Sequence, residues 1–362
     1  MHPFWAVVTA FAVVVIGGCG GGGSDEAPAR LSPAITVSLE HSDVVYDPSR
    51  KVLYVVQGEF ASNFASRVVE VDPFSGSVRD LVAPTDGPPY SGLDVLPGTL
   101  ALSQSARYLY FPVKGLLTRV NLATRAIDLT LSPPPGVRER ASVTVVGASR
   151  TDDSVVYVYL RGAGADLDSL GMVRDRNWAT QWLDGLSRTN TGYRERVSIR
   201  EDDSELILSR RTLNRVRLTL NGVDGILASS VDDPLAITRA VPQWVSDGIL
   251  WGRNVYDGTT LSLLFEIPGA SRCFALPSKR RVVCTETAGQ TGHVLFVFDL
   301  PTRSRVFSRL AGFDTGSPSA TTPALLITPA GSGRVAVSYG STARGFSFGA
   351  KSLSVYVDPA FD

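Results

Sequence analysis

Short apolar runs alternate with polar turns along almost the whole chain after residue 34. The runs are rich in Val, Leu, Ile, Tyr and Phe, and the breaks between them are rich in Gly, Pro, Asp, Asn and Ser. This alternation is typical of β-strands joined by turns. No long stretch shows the 3.6-residue period of an amphipathic helix. The pattern therefore predicts an all-β domain over residues 34–362.

A two-part unit recurs along this domain. Its first part is a strand, a polar turn and a second strand, and it is present at residues 44–55, 100–111, 150–158, 197–208, 246–251, 273–284 and 325–337. Its second part is another hairpin, and clear or looser copies are present at residues 68–78, 117–127, 216–222, 256–261 and 294–306. Two hairpins in each unit make a four-stranded sheet.

The spacing of these units predicts a β-propeller. Leu53 in the first unit and Val335 in the seventh lie 282 residues apart, which is about 47 residues for each of six steps. A four-stranded propeller blade takes about 40–50 residues. The last unit ends after its third strand, and residues 34–39 form a spare strand ahead of the first unit. We therefore expect seven four-stranded blades, with the last blade closed by the N-terminal strand so that no sheet edge invites aggregation.

The repeat resembles that of the bacterial YVTN-type propellers within the broad WD40-like group. The resemblance rests on Asp47-Pro48 ahead of Leu53-Tyr54-Val55 and on Val71-Asp72 ahead of Gly76. The Trp-Asp pair of true WD40 repeats is absent. The resemblance implies the fold and carries over no particular activity.

An apolar run near the N-terminus leads to Cys19. Residues 6–16 are apolar except for Thr9, and Gly17 and Gly18 follow them. This run is shorter than the about 20 residues that cross a bilayer. The layout resembles the signal peptide and lipobox of bacterial lipoproteins, although residues 1–5 contain neither Lys nor Arg. The alternatives are an ordinary secretory signal with a chance cysteine and an uncleaved anchor.

The lipoprotein resemblance implies that residues 1–18 are a signal peptide and that Cys19 carries acyl chains such as palmitate. Several chains together anchor a protein firmly. Residues 19–33 are rich in Gly, Ser, Ala and Pro, which predicts a flexible tether. Gly20 is compatible with transfer to the outer membrane. The expected location is the bacterial cell envelope, at the periplasmic face of the outer membrane.

The charge balance argues against wholesale attraction to nucleic acid. The chain has 35 basic and 35 acidic residues, so it presents no net field to a polyanion. Residues 188–217 nevertheless contain eight arginines among five acids. Such a mixture is typical of a solvated strand face with internal ion pairs. The alternative is a surface for an anionic partner such as lipid headgroups or a polysaccharide.

Cys273 and Cys284 are the only cysteines besides Cys19. An even pair in an exported protein indicates a disulfide. A turn at Ser278-Lys279 would place the two cysteines opposite each other across a hairpin, where facing Cα atoms lie about 4.5 Å apart. The alternative is two buried free thiols. A metal site is not expected, because no second Cys or His pair accompanies them.

The sequence offers little local catalytic chemistry. It has no P-loop and no H-E-x-x-H motif. His41 and His293 lie far apart without companions at ligand spacing, so we expect surface or core histidines. Acidic pairs at residues 152–153, 202–203 and 232–233 lie in predicted turns, where Asp bonds its own backbone; metal binding is the alternative. Neither a metal nor a cofactor is expected.

Residues 166–184 fit the blade pattern least well. They contain Arg174, Arg176, Trp178 and Trp182, and Trp and Arg are favoured at interface hot spots. One interpretation is a binding loop. The other is a distorted third and fourth strand with core tryptophans.

These observations favour a lipid-anchored, monomeric propeller that serves as a binding or scaffold module for a protein or another envelope ligand. The main alternative is an enzyme, such as a lactonase-like hydrolase, with a site in the central channel. Separate blades can place acids or a metal there without a local motif, and the fold does not decide between the two. A sensor or a surface adhesion protein is the third possibility.

Overall fold

The computed structural model describes residues 30–41, 43–57, 67–82, 100–113, 115–134, 141–162, 168–186, 195–209, 212–230, 240–246, 248–288, 292–311, 324–340 and 350–362. In these ranges the strands form seven sheets of at least four strands each. The only helical segment described is a 3-10 turn at Pro359–Phe361. Nothing helical in this part of the chain is long and apolar enough to span a membrane. The predicted all-β propeller is confirmed.

Two strands precede the first blade, and the blades then follow one another along the chain. The leading strands are β1 (Arg30–Leu31) and β2 (Ile35–His41). Blade one contains β3 (Asp43–Asp47), β4 (Val52–Gln57), β5 (Arg67–Val71) and β6 (Val78–Val82). Blade two contains β7 (Ala101–Leu102), β8 (Tyr108–Val113), β9 (Leu116–Asn121) and β10 (Ala126–Leu131). Blade three contains β11 (Ser142–Ala148), β12 (Val155–Arg161), β13 (Asp168–Arg174), β14 (Asn177–Trp178) and β15 (Leu183–Leu186).

The remaining blades continue in the same way. Blade four contains β16 (Arg196–Ile199), β17 (Glu205–Ser209), β18 (Leu213–Thr219) and β19 (Gly222–Ser229). Blade five contains β20 (Gln243–Val245), β21 (Gly248–Trp251), β22 (Asn254–Asp257) and β23 (Leu263–Glu266). Blade six contains β24 (Arg272–Ala275), β25 (Arg281–Ala288), β26 (Gly292–Asp299) and β27 (Ser304–Ala311). Blade seven contains β28 (Ala324–Pro329), β29 (Arg334–Gly340) and β30 (Ala350–Val357).

The core lies between the blades. The buried apolar residues of the described chain form seven clusters, and each cluster joins two neighbouring blades. One cluster, for example, brings Tyr159 of blade three against Leu206 and Val216 of blade four. A middle strand therefore buries both of its faces, and residues 155–160 of β12 are all buried. This explains why such strands have continuous apolar runs and not strict alternation.

The N-terminal strand closes the ring, as the sequence predicts. β2 pairs antiparallel with β30, with Ile35 opposite Val355 and Val37 opposite Leu353. Leu39 is buried, and Ile35 and Val37 pack against buried residues of blades seven and one. The fourth strand of blade seven thus comes from the opposite end of the chain.

A shorter pairing precedes this strand. Arg30 and Leu31 form β1, which pairs parallel with β27 at the outer edge of blade six. Both residues belong to the segment for which the sequence predicts a tether. The described chain therefore contacts blade six before it completes blade seven.

The two cysteines form a disulfide within blade six. Cys273 of β24 lies directly opposite Cys284 of β25, with the Cα atoms 4.0 Å apart. The turn between these strands contains Lys279 in the left-handed region, at φ 56°. Both cysteines are buried in the cluster between blades five and six. The disulfide thus joins the innermost two strands of the blade.

A buried histidine lies where the closing strand ends. The Nδ1–H of His41 donates to the Leu39 carbonyl at 2.7 Å, and its Nε2 accepts from the Ser338 hydroxyl at 2.7 Å. Ser338 lies on β29, one strand further into blade seven. Burial lowers the pKa of His41 to about 4. The neutral imidazole is therefore the form that the closed ring accommodates.

Val37→Asp is expected to destabilise the fold by roughly 2–4 kcal/mol, because a charge would replace an apolar side chain that packs between blades seven and one. The matched control is Ser38→Asp, because Ser38 is exposed on the same strand. Chemical denaturation of the purified variants measures both changes. Equal losses in the two variants would contradict closure by the apolar face of β2.

The stability of the ring should decrease as the pH falls from about 6.5 to about 4. In that window the unfolded chain binds a proton on His41 while the folded chain, whose His41 has a pKa of about 4, does not. The loss attributable to this group is about 2 kcal/mol near pH 5. His41→Gln should lose less unfolding free energy than the natural protein between about pH 7.5 and pH 5. The same loss in both proteins would remove His41 as the cause.

Candidate binding site

One face of the ring gathers the turns between the first and second strands of every blade, and also those between the third and fourth strands. Alternate turns of an antiparallel sheet lie at the same end, and we call this the turn face. Four of the first turns share one geometry. In blades one, two, four and six a residue with φ between 54° and 57° occupies this turn: Lys51, Ala106, Asp203 and Lys279. The repeat is thus a backbone repeat as well as a sequence repeat.

On this face, the two acids of each acidic pair in blades three and four accept hydrogen bonds from different partners. The first acid of each pair bonds its own turn: Asp152 accepts from the Ser154 amide at 2.9 Å, and Asp202 accepts from the Ser204 amide at 3.0 Å. This confirms the expectation that these acids bond their own backbone.

For the second acid of each pair the expectation is wrong, because this acid bonds the preceding blade. Asp153 accepts from the Ser105 amide of blade two at 2.9 Å. Asp203 accepts from the Arg150 amide at 2.7 Å and the Thr151 hydroxyl at 2.5 Å, both in blade three. These acids therefore bind neighbouring turns together. Residues 232–233, the third pair, lie outside the described residues.

A groove opens on the turn face at blade five. The first turn of this blade is short, since Val245 already pairs with Gly248. The groove has a volume of about 590 Å³ and lies between the turns of blades four and six. Its lining includes Arg200, Glu201, Trp244, Asp257 and Lys279. We call it the Trp244 groove.

Trp244 forms the aromatic wall of this groove. Its ring is half-buried, and the Arg200 guanidinium lies 5.4 Å from the ring centroid. The indole Nε1–H finds no acceptor among the described residues. That nitrogen is buried from solvent, so the aromatic face beside the guanidinium is the feature that a bound partner can engage.

Charges of both signs surround the tryptophan. The ammonium group of Lys279 in blade six forms an ion pair with Glu201 in blade four. This hydrogen bond and the charge of Lys279 lower the pKa of Glu201. Backbone amides of Thr260 and Thr259 lower the pKa of Asp257. The groove rim is therefore ionised at neutral pH, with acids and bases side by side.

Comparison with known proteins bears on the fold. No known protein family matches the sequence, and no curated protein matches it. The β-propeller domain of Cps50 (Swd1) from Myceliophteria thermophila superposes with a TM-score of 0.57 and 12% identity, over 91% of this chain and 100% of that one. A chain in a structure of the mitotic checkpoint complex superposes with a TM-score of 0.56 and 11% identity, over 97% of this chain and 99% of that one.

The fold is a seven-bladed β-propeller of four-stranded blades. At these identities the likeness concerns the fold alone. The residues of the sites described here have to be judged on their own geometry.

The predicted binding loop lies at the outer edge of propeller blade three. Asn177 and Trp178 form β14, and β15 pairs with β13 beyond an irregularity, so the outer strand is broken in two. This break is why residues 166–184 fit the blade pattern poorly.

The two tryptophans of this segment pack on the propeller. Their ring centroids lie 5.1 Å apart. The indole of Trp178 donates to the Ser132 carbonyl of blade two at 2.8 Å, and that of Trp182 donates to the Ala179 carbonyl at 2.7 Å. Arg176 is exposed, and Arg174 is half-buried. The structure thus contains the distorted strands of the second interpretation, and a binding role for Arg174, Arg176, Trp178 and Trp182 stays a prediction.

Some of the features predicted from the sequence lie outside the described residues. Cys19 and the signal peptide lie outside the described residues, so the lipid anchor stays a prediction. Within the described ranges, no group of three His, Cys, Asp or Glu side chains could hold a metal ion. Residues 345–349 spell G-x-S-x-G, the sequence pattern of a nucleophile elbow, and they lie outside the described residues.

Asp203→Asn is expected to cost roughly 1–3 kcal/mol of unfolding free energy, because the turns of blades three and four lose a charged acceptor. Asparagine tolerates the left-handed backbone at this position, so the change tests the side chain alone. Asp202→Asn is the matched control and should cost less than about 1 kcal/mol, since exposed Asp202 bonds only its own turn. Urea unfolding measures both. A larger loss for Asp202→Asn would contradict the conclusion that Asp203, and not Asp202, links blades three and four.

Proposed function

We propose that the protein is a lipid-anchored binding scaffold of the bacterial envelope, and that it engages a protein partner through the Trp244 groove. The observation that supports the binding role best is the groove itself. It combines a half-buried tryptophan with charges of both signs, on a face where the turns of blades two, three and four bond one another.

The chemistry of the groove fits a protein surface. Trp and Arg contribute disproportionately at protein interfaces, and fixed charges of both signs set the orientation of a partner. One of the similar folds occurs in a structure of a complex, the mitotic checkpoint complex. From this likeness we propose only the general role of a propeller that binds other proteins. We propose no partner from that complex.

The anchor is supported by the apolar run that ends at Cys19 and by the Gly- and Ser-rich residues behind it. Acyl chains on Cys19 would hold the ring at the membrane, with the chain entering along β27 of blade six. We place the protein at the periplasmic face of the outer membrane. Protease treatment should therefore degrade it in permeabilised cells and leave it intact in whole cells.

Cys19→Ala should remove the protein from the detergent phase in a phase-partition assay and abolish labelling by a palmitate analogue. Ser24→Ala is the matched control in the same segment and should behave like the natural protein. Unchanged partitioning and labelling of Cys19→Ala would contradict the lipid anchor, whatever the propeller binds.

A photo-crosslinking residue tests the groove. Thr259 is exposed at its rim, and Ala123 occupies the corresponding turn of blade two. In cells, the crosslinker at position 259 should give one discrete protein adduct, the crosslinker at position 123 should give none, and Trp244→Ala should abolish the adduct. An adduct that persists in Trp244→Ala, or that forms equally at position 123, would overturn the groove as the binding surface.

The enzymatic alternative stays a prediction. No described cluster of acids or metal ligands favours a lactonase-like site over the binding role.

A further inference from the structure

An ion pair joins the two sides of the Trp244 groove. Glu201 lies in the first turn of blade four, and Lys279 lies in the first turn of blade six. The first turn of blade five, which lies between them, is short because Val245 already pairs with Gly248. Glu201 and Lys279 both line the groove of about 590 Å³. The ion pair therefore links two blades that are not neighbours around the ring.

The charges that the groove presents to solvent are more negative than positive. Among the described residues that line it, the acids outnumber the bases: Glu201, Asp202 and Asp257 against Arg200 and Lys279. The side chain of Glu201 is 76% exposed and that of Asp202 is 58% exposed. The side chain of Arg200 is 47% exposed and that of Lys279 is 37% exposed. A charged partner therefore meets the two acids of blade four first.

Arg200 is held in the wall of the groove by several contacts. Its guanidinium lies 5.4 Å from the centroid of the Trp244 ring. Its Nη1 lies 3.6 Å from the Glu205 carboxylate, and its Nε lies 3.7 Å from the Asp202 carboxylate. The positive charge of Arg200 is thus balanced by acids of its own blade.

Lys279 is held less firmly. Within the described chain its ammonium group pairs with Glu201 and with no further acid. Ion pairs between flexible, solvent-accessible side chains contribute little to stability, because ordering both side chains costs entropy and water screens the attraction. Another cation can therefore replace Lys279 beside Glu201 at a small cost.

Trp244 gives the groove a second means of binding a cation. Tryptophan is the aromatic side chain that attracts cations most strongly. Lysine and arginine also carry apolar stems that pack along an aromatic surface while the charge stays accessible. The indole and the Glu201 carboxylate line the same groove, so one basic side chain could engage both. An acidic side chain would meet Glu201 and Asp202 with like charge, which opposes binding.

We propose that the partner presents a basic side chain, a lysine or an arginine, to the Trp244 groove, and that this side chain replaces Lys279 beside Glu201. Lys279 is then an internal competitor that the partner displaces. This inference rests on the proposed function, since a partner has to occupy the groove. It adds the sign of the charge that the partner offers.

Fluorescence polarisation with two labelled peptides, hexa-arginine and hexa-glutamate, tests the proposal on the purified full chain in detergent. The hexa-arginine peptide should bind more tightly than the hexa-glutamate peptide. Lys279→Met should strengthen binding of hexa-arginine about threefold, because Glu201 loses its internal partner, and Glu201→Gln should weaken it by about the same factor. Absence of hexa-arginine binding, or tighter binding of hexa-glutamate, would overturn the proposal.

Two control variants separate the groove from the overall charge of the protein. Lys51→Met makes the same charge change in the first turn of blade one, at an exposed residue with the same left-handed backbone as Lys279. Glu266→Gln makes the same charge change as Glu201→Gln on the exposed outer strand of blade five. Each control should change the affinity by less than about twofold. Equal effects of Lys51→Met and Lys279→Met would contradict a specific role of Lys279.

The photo-crosslinker at position 259 separates this proposal from the scaffold itself. In cells, Lys279→Met should increase the yield of the protein adduct, and Glu201→Gln should decrease it. Changes in the opposite directions would overturn the basic partner and leave the groove as the binding surface. Absence of any adduct at position 259 would instead overturn the protein partner, and this proposal with it.

Discussion

The hydrogen bonds between the first long strand and the last strand of the chain hold the whole ring together. Because each blade buries its two faces against two neighbours, no blade has a core of its own. Opening the β2–β30 pairing would expose an edge of blade seven and would loosen its contact with blade one. We call the interface between two neighbouring blades a seam. The geometry of every other seam depends on this closure, since the seven sheets share one ring. Closure also ends the repeat without an unpaired strand that could recruit another molecule.

Hydrogen bonds of polar side chains also cross the seams, in addition to the apolar clusters that lie within them. Arginine side chains reach from one blade to the next at several of them: Arg125 to Glu70, Arg119 to the Asp175 carbonyl, Arg215 to the Thr259 carbonyl and Arg334 to the Pro73 carbonyl. A guanidinium has five donors on a long stem, so one side chain can bond within its own blade and across the seam. Arg119 does both, because it also pairs with Asp128 in its own blade. The abundance of arginine over lysine thus has a structural use in this ring.

The blades could be predicted from the sequence, because each hairpin is a local pattern of strand residues and turn residues that repeats at a fixed period. The closing strand and the Cys273–Cys284 pair could be predicted for the same reason: one completes a count of strands, and the other follows from hairpin register. The seams could not be predicted, because they join residues about one blade apart with no fixed spacing. From the sequence, Asp203 has the pattern of an ordinary turn residue, and only its contacts with Arg150 and Thr151 in the preceding blade distinguish it from Asp202. The Trp244 groove could not be predicted either, because in the sequence the short turn of blade five has the pattern of a degenerate copy of the repeat. In contrast, the richness of residues 166–184 in Trp and Arg reflects a broken outer strand.

The arginines of residues 188–217 lie in two different kinds of surroundings. Arg215 pairs with Glu205 at 2.7 Å, and Arg217 pairs with Asp224 at 3.3 Å. These pairs fit a strand face with internal ion pairs. Arg196 differs, because it is buried while two of its three guanidinium nitrogens find no acceptor in the described chain. Replacing such a buried, incompletely hydrogen-bonded arginine with an apolar residue of similar size is often neutral or stabilising. The contacts of the described chain therefore offset little of the cost of burying Arg196, in contrast to the paired arginines of the same segment.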